Sequence, residues 1–122
     1  MEQICYVLYP GDESLEGKTL RLKQQYTLCS ASLQDIIARF ERRSGDSVNW
    51  NQFPEKVALQ MNDTHPTLCI PELIRILMDV KGLKWNEAWE ITQRHVCLIS
   101  EPFQVFLESS ALILLICVRD FY

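Results

Sequence analysis

An Asp and a His two positions apart are the residues of this sequence best suited to chemistry. Asp63 and His65 belong to the run Asn-Asp-Thr-His-Pro, residues 62–66, which separates two apolar segments. A carboxylate accepts hydrogen bonds, and an imidazole donates and accepts them and can carry charge near neutral pH, so the pair suits a hydroxyl-rich ligand. Ordinary capping and turn chemistry explains the same residues equally well.

The flanking segments indicate where this pair lies. Residues 56–61 (Lys-Val-Ala-Leu-Gln-Met) are short, apolar and bounded by turn residues, which predicts a buried strand. Pro71 and Glu72 suit the first turn of a following helix, which Gly82 would end. The buried stripe of that helix is predicted to be Leu73, Ile76, Leu77 and Val80. Open α/β sheets bind ligands beyond the carboxyl ends of their strands, where the pair is then predicted to lie.

Further elements complete an α/β pattern. Residues 3–10 are rich in β-branched and aromatic side chains and predict a strand that ends at Pro10. Residues 18–43 predict one long helix, because apolar residues recur at steps of three and four. These are Leu22, Tyr26, Cys29, Leu33, Ile36 or Ile37, and Phe40. A last helix carries Trp85, Ala88, Trp89 and Thr92 on one side, and we interpret the two Trp residues as core in preference to a sugar-stacking platform.

Composition excludes several classes of function. The net charge of −4 and pI near 5.1 argue against a nucleic-acid surface. The five cysteines show no zinc-binding spacing, and we expect buried thiols in a reducing compartment. Asp63 and His65 supply too few metal ligands, and His95 does not complete a set, so we predict no metal site. A small Asp/His metal hydrolase stays as a minor alternative.

The two ends of the sequence carry no membrane signal. The first residues show no basic segment followed by an apolar core, as a signal peptide would. The longest apolar run, residues 111–118, is far shorter than the ~20 residues of a membrane-spanning helix. Residues 95–122 lack the residues that mark helix starts and ends earlier in the sequence, and we expect a divergent tail that is not native to the fold.

Residues 3–94 closely resemble an internal piece of the α-glucan phosphorylases, most of all the plastid-type starch phosphorylases of plants. The segments QMNDTHPTLCIPEL and GKTLRLKQQY carry the resemblance. It implies a fragment of a glycosyltransferase-type (GT-B-like) N-terminal domain, helix-rich with short parallel strands, over residues 1–94. It also implies pyridoxal 5′-phosphate as cofactor, an α-1,4-glucan and inorganic phosphate as substrates, glucose 1-phosphate as product, homodimers, and a plastid location with cytoplasm as alternative.

The resemblance also assigns site residues. Asp12 falls on the acidic residue of the family's gate loop, and Asp63 and His65 fall on its loop beside the glucosyl site. Glu13 stands where many members have Asn. Arg39 matches the second of two arginines at the nucleotide effector site of animal members, and Ala38 replaces the first.

Other parts of the family's machinery are missing from the chain. The family's Tyr-Thr-Asn-His segment does not follow Arg94, and the cofactor lysine is absent, so no catalytic or cofactor-binding residue is assigned here. The isolated chain is predicted to be inactive. The alternative is a truncated splice form or a non-catalytic helical interaction module that docks through residues 111–118.

Overall fold

A computed structural model describes residues 4, 6–7, 10–11, 13–99 and 117–118. Helices alternate with short strands, as the α/β prediction requires. In chain order the elements are α1 (Leu15–Ser44), a 3-10 turn (Trp50–Gln52), α2 (Phe53–Lys56), β1 (Leu59–Asn62), α3 (Cys69–Arg75) continued by a π-helical turn (Ile76–Val80), α4 (Trp85–His95), β2 (Val96–Ile99) and β3 (Cys117–Val118).

The long helix predicted over residues 18–43 is α1. It begins three residues earlier because the Ser14 side chain accepts a hydrogen bond of 3.1 Å from the Gly17 amide, which caps the helix. Arg42 and Arg43 lie in its last turn, where cations suit the helix dipole. Gly45 follows with φ of 68°, a conformation that glycine adopts without strain.

The predicted buried stripe of α1 is correct only in its second half. Buried side chains begin at Gln24 and continue from Cys29 to Phe40, whereas Leu22 is 55% exposed and Tyr26 is 44% exposed. The prediction for Leu22 and Tyr26 was therefore wrong. Helical spacing identifies a face, but it does not say how far along the helix a packing partner extends.

The strand predicted over residues 3–10 is not observed at its described residues, where Ile4 lies in a turn and Tyr6 in a bend. The side-chain amide of Gln24 donates hydrogen bonds of 2.8 Å to the Ile4 carbonyl and 2.6 Å to the Val7 carbonyl. A side chain of α1 thus satisfies backbone groups that a sheet neighbour would otherwise satisfy. The other residues of the predicted strand lie outside the described part.

The sheet has the strand order β2-β1-β3, with β1 parallel to β2 and antiparallel to β3. Leu59 pairs with Val96 and Asn62 with Ile99, so the two parallel strands end at the same edge. The strand predicted over residues 56–61 exists, but it begins at Leu59, because Lys56 still belongs to α2. It is also not buried on both faces, since Leu59 and Met61 are buried while Gln60 and Asn62 are exposed.

The helix predicted after residue 70 is α3 with its π-helical continuation, and Gly82 follows it with φ of 76°. Leu73, Ile76 and Leu77 are buried as predicted, but Val80 is 60% exposed. The π-helical turn changes the rotation per residue, and Val80 leaves the stripe there. Glu72 lies in the first turn of α3 as predicted, and its side chain is buried.

Helix α4 buries a different side from the one predicted. Its buried residues are Ala88, Ile91, Thr92 and His95. Trp85 is 54% exposed and Trp89 is 43% exposed, so the interpretation of both as core was wrong. Ala88 and Thr92 lie on both the predicted and the observed buried side. Because Ile91 and His95 are buried with them, the two indoles face water.

Candidate functional site

The loop that follows β1 brings Asp63 and His65 together at the carboxyl edge of the parallel strands. Asp63 has φ of 63°, in the left-handed region that Asp tolerates better than most residues. Its Oδ1 accepts hydrogen bonds from the Thr64 amide and, at 3.2 Å, from the Thr64 hydroxyl. The loop then closes through hydrogen bonds from the Thr67 amide and hydroxyl to the Thr64 carbonyl.

The second carboxylate oxygen of Asp63 faces the imidazole of His65. Oδ2 lies 3.2 Å from Nε2, and the side chain of His65 is 40% exposed while that of Asp63 is 24% exposed. The pair is therefore fixed in geometry and still open to a ligand.

Arg21 is a third member of this cluster, and the sequence pattern does not reveal it. Its Nη2 lies 3.4 Å from Nδ1 of His65. A guanidinium only donates, so Nδ1 accepts in this contact, and the proton of neutral His65 then lies on Nε2, directed at Asp63. Arg21 is on α1, and 44 residues separate it from His65, so only the packing of α1 against the loop reveals the contact.

Two buried contacts hold α1 against this region. Cys29 on α1 is fully buried, and its thiol donates a hydrogen bond of 3.6 Å to the carbonyl of Pro66 in the loop. Beyond the loop, Glu72 of α3 accepts a buried hydrogen bond from the Ser30 hydroxyl at 2.7 Å and a partly buried one from the Tyr26 hydroxyl at 3.2 Å. The loop is thus positioned by a strand before it, a helix after it and α1 beside it.

The carboxylate of Glu72 is also paired with Arg75, whose Nε and Nη2 donate to it at 2.8 and 2.9 Å. These hydrogen bonds, first those from Arg75 and then that from Ser30, hold the pKa of Glu72 below its usual value against the opposing effect of burial. Glu72 is therefore a charged group inside the protein that joins α1 to α3.

The remaining predicted site residues lie apart from this cluster or outside the described residues. Asp12 lies outside the described residues, and its neighbour Glu13 is exposed. Arg39 is exposed on α1, where it pairs with Asp35 one turn earlier. That pair is a local contact on the helix surface.

The described residues do not provide a metal or cofactor site. No group of three or more His, Cys, Asp or Glu side chains lies close enough to hold a metal ion in the part of the chain that is described. A pyridoxal cofactor needs a lysine amine held in a pocket. Lys81, the one described lysine that is not exposed, instead binds Glu41 at 2.6 Å and lies over the Trp50 ring, so these residues do not fit the cofactor. No described helix is both long and apolar enough to cross a membrane.

Comparison with known proteins gives consistent matches. A sequence model of the family described as Carbohydrate phosphorylase matches residues 1–101. Over 95 residues, 78% of the chain, the sequence is 88% identical to the alpha-1,4 glucan phosphorylase L-2 isozyme, chloroplastic/amyloplastic, of Solanum tuberosum, of which that stretch is 10%. Over the same share it is 84% identical to the L isozyme, chloroplastic/amyloplastic, of Vicia faba, again covering 10% of it.

A relative named for the cytosol is less similar. The chain is 65% identical over 97 residues to alpha-glucan phosphorylase 2, cytosolic, of Arabidopsis thaliana, covering 78% of the chain and 12% of that protein. The chain therefore spans about a tenth of the length of the curated relatives it matches. With a family model that covers most of its residues and relatives at this identity, the chain belongs to the carbohydrate phosphorylase family.

Proposed function

We propose that this chain is the segment of a plastidial α-1,4-glucan phosphorylase that lines the glucosyl site. The whole protein would transfer the terminal glucosyl unit of an α-1,4-glucan to inorganic phosphate and release glucose 1-phosphate. The observation that carries this proposal is the Asp63–His65 pair, with a contact of 3.2 Å, beyond the carboxyl end of a parallel strand in a chain of this family.

The pair suits the recognition of sugar hydroxyls. Carboxylate oxygens of Asp63 accept from hydroxyl groups, and the Nε2 proton of His65 can be shared between Asp63 and a sugar oxygen beside it. Arg21 holds the far side of the imidazole, so the orientation of His65 is set before the ligand arrives. Such preorganisation reduces the side-chain entropy that is lost when the ligand binds.

These residues orient the sugar, but they do not complete the reaction. Glycosyl transfer passes through an oxocarbenium-like state, which requires phosphate to be placed against the anomeric carbon in a water-poor cleft. We propose that the whole protein uses pyridoxal 5′-phosphate and that residues other than those described here would hold it. The isolated chain is accordingly proposed to be inactive.

The location of the whole protein is proposed from the names of the relatives. Their names support a plastid, with the cytosol as alternative. We propose a glycosyltransferase-type (GT-B-like) architecture for the whole protein, a homodimeric assembly, a role for Asp12 in a gate loop over the cleft, and a change from family sequence to divergent tail after residue 94.

A chimera tests the proposal. The 95 matched residues of the Solanum tuberosum relative are replaced by those of this chain, and formation of glucose 1-phosphate from maltodextrin and phosphate is measured. We expect an active chimera that loses activity by about 10²-fold or more when Asp63→Asn and His65→Asn are combined, since positioning groups contribute on that scale. The exposed Glu90→Gln is the matched control and is expected to leave the rate unchanged. A double variant with full activity would contradict the role of the pair.

A further inference from the structure

The indole rings of Trp85 and Trp89 form a rigid aromatic pair on the surface of α4. Their centroids are 5.9 Å apart and their planes differ by 11°, which is a stacked arrangement. Trp85 is 54% exposed and Trp89 is 43% exposed. The two residues lie one turn apart on α4, on the side that faces away from the core. Stacking on each other limits the side-chain freedom of both rings, so a ligand would meet a surface that is already ordered.

The size of this pair decides which kind of ligand it suits. An aromatic side chain buries about 150–250 Å² when fully covered, so two half-exposed rings offer roughly 150–250 Å². A stable protein interface needs about 800 Å² from each partner. The pair supplies only part of such an area, whereas on its own it matches one or two sugar rings.

The polar groups around the pair fit a neutral, hydroxylated ligand. Asn86 lies three residues before Trp89 and Gln93 four residues after it, which places both beside the ring on the helix surface. Both amides are exposed, and each can donate and accept a hydrogen bond. The nearby carboxylate of Glu87 accepts from the Lys84 amide at 3.0 Å and so serves the helix start. Pyranose rings match this pattern, because they have apolar C–H faces and a rim of hydroxyl groups.

We propose that Trp85 and Trp89 form a carbohydrate-stacking surface that binds α-1,4-linked glucan chains, in addition to the glucosyl site of Asp63 and His65. The choice of α-glucan rests on the proposed function. The geometry of the rings and the flanking amides are independent of it.

The test measures binding of maltoheptaose to the 122-residue chain by calorimetry. We expect Trp85→Ala with Trp89→Ala to raise the dissociation constant by about ten- to a hundredfold, since aromatic stacking contacts contribute roughly three- to tenfold each. Trp85→Phe with Trp89→Phe keeps two aromatic faces and should lose less. This variant also provides the comparison if the Ala variant fails to fold, which circular dichroism reports. Leu22→Ala removes an exposed apolar side chain of α1 and should change nothing.

Two further readouts separate this proposal from the proposed function. Iodide should quench the fluorescence of the native chain strongly if the two rings are open to water, and maltoheptaose should protect them. The imidazole NMR signals of His65 report the glucosyl site independently. NMR shifts at His65 on addition of maltoheptaose, with no effect of either Trp variant, would overturn the stacking surface and support the glucosyl site. Protection of the Trp rings without shifts at His65 would support the stacking surface and contradict the glucosyl site. Rings that iodide cannot reach, or an equal loss in Leu22→Ala, would also overturn it.

Discussion

The hydroxyl of Ser30 donates a hydrogen bond of 2.7 Å to the carboxylate of Glu72, across 42 residues of sequence. Glu72 is only 3% exposed, yet it keeps its charge because Arg75 and Tyr26 bind the same carboxylate. This network joins α1 to α3 directly after the loop of Asp63 and His65. The position of that loop therefore depends on a buried charge that the sequence pattern presents as an ordinary helix-end residue.

Glu72→Gln is expected to lower the free energy of unfolding by about 1.5–3 kcal/mol, the contribution of hydrogen bonds to a charged group. The amide keeps the volume but loses the charge that Arg75 pairs with. Urea unfolding followed by circular dichroism measures the change. Glu90→Gln, an exposed position on α4, is the control and should stay within about 0.5 kcal/mol of the parent. Equal stability of the two variants would contradict the importance of the network.

The sequence predicts the fold where local pattern and packing coincide. Helix α1 follows from apolar spacing, and β1 follows from a short apolar run between turn residues. The buried side of α4 does not follow, because Ala88 and Thr92 are compatible with two faces and only contact with the core selects the one that contains Ile91.

The candidate site likewise contains residues that the local sequence predicts and one that depends on packing. Asp63 and His65 could be predicted at the end of a strand because both are close to it in sequence. Arg21 could not, since its contact with His65 depends on how α1 crosses the loop. The exposed end of α1 at Leu22 was missed for a similar reason, because periodicity carries no information about where a partner ends.

A substitution series at Asp63 should separate its backbone role from its side-chain role. Because φ is 63°, Asp63→Gly relieves backbone strain that Asp63→Ala keeps, and we expect the Ala variant to be less stable by about 1 kcal/mol. Both variants lose the carboxylate equally, so the difference reports the backbone alone. Urea unfolding of the two proteins provides the measurement.

The matched control for that series is Ala31→Gly, at an exposed position inside α1. There the protein with glycine should be less stable than the protein with alanine by about 1 kcal/mol, the reverse of the order expected at Asp63. The same sign at both positions would show that the backbone at Asp63 is not strained.

Gly17→Ala is expected to destabilise the chain, although alanine usually stabilises a helix relative to glycine. A Cβ at Gly17 would overlap the backbone carbonyl oxygen of Gly11, and backbone cannot move aside as a flexible side chain can. Overpacking of this kind costs about 1–3 kcal/mol. Gly11→Ala is the control, because nothing lies within 4 Å of a Cβ there. A thermal midpoint in Gly17→Ala at or above that of Gly11→Ala would rule out the close approach.

The pH dependence of stability should report His95, which is 3% exposed and packs its ring against Phe53 with centroids 4.4 Å apart. Within the described residues neither ring nitrogen has a hydrogen-bond partner. Burial lowers the pKa of His95 to about 4, and the nearby Val57 backbone opposes this in part. The unfolded chain, with a pKa near 6.5 for this group, binds the proton more readily than the folded chain. Stability is therefore complete above pH 6.5 and falls as the pH drops towards 4.

The expected loss over that window is about 3 kcal/mol. His95→Leu should remove most of the slope between pH 4.5 and 6.5, a range chosen to lie above the pKa of Glu72, which the hydrogen bonds from Arg75 and Ser30 keep low against the opposing effect of burial. Leu22→Ala, at an exposed position of α1, is the control and should leave the slope in place. Urea unfolding at four or five pH values measures all three proteins. A slope that persists unchanged in His95→Leu would show that the buried imidazole is not the group that titrates.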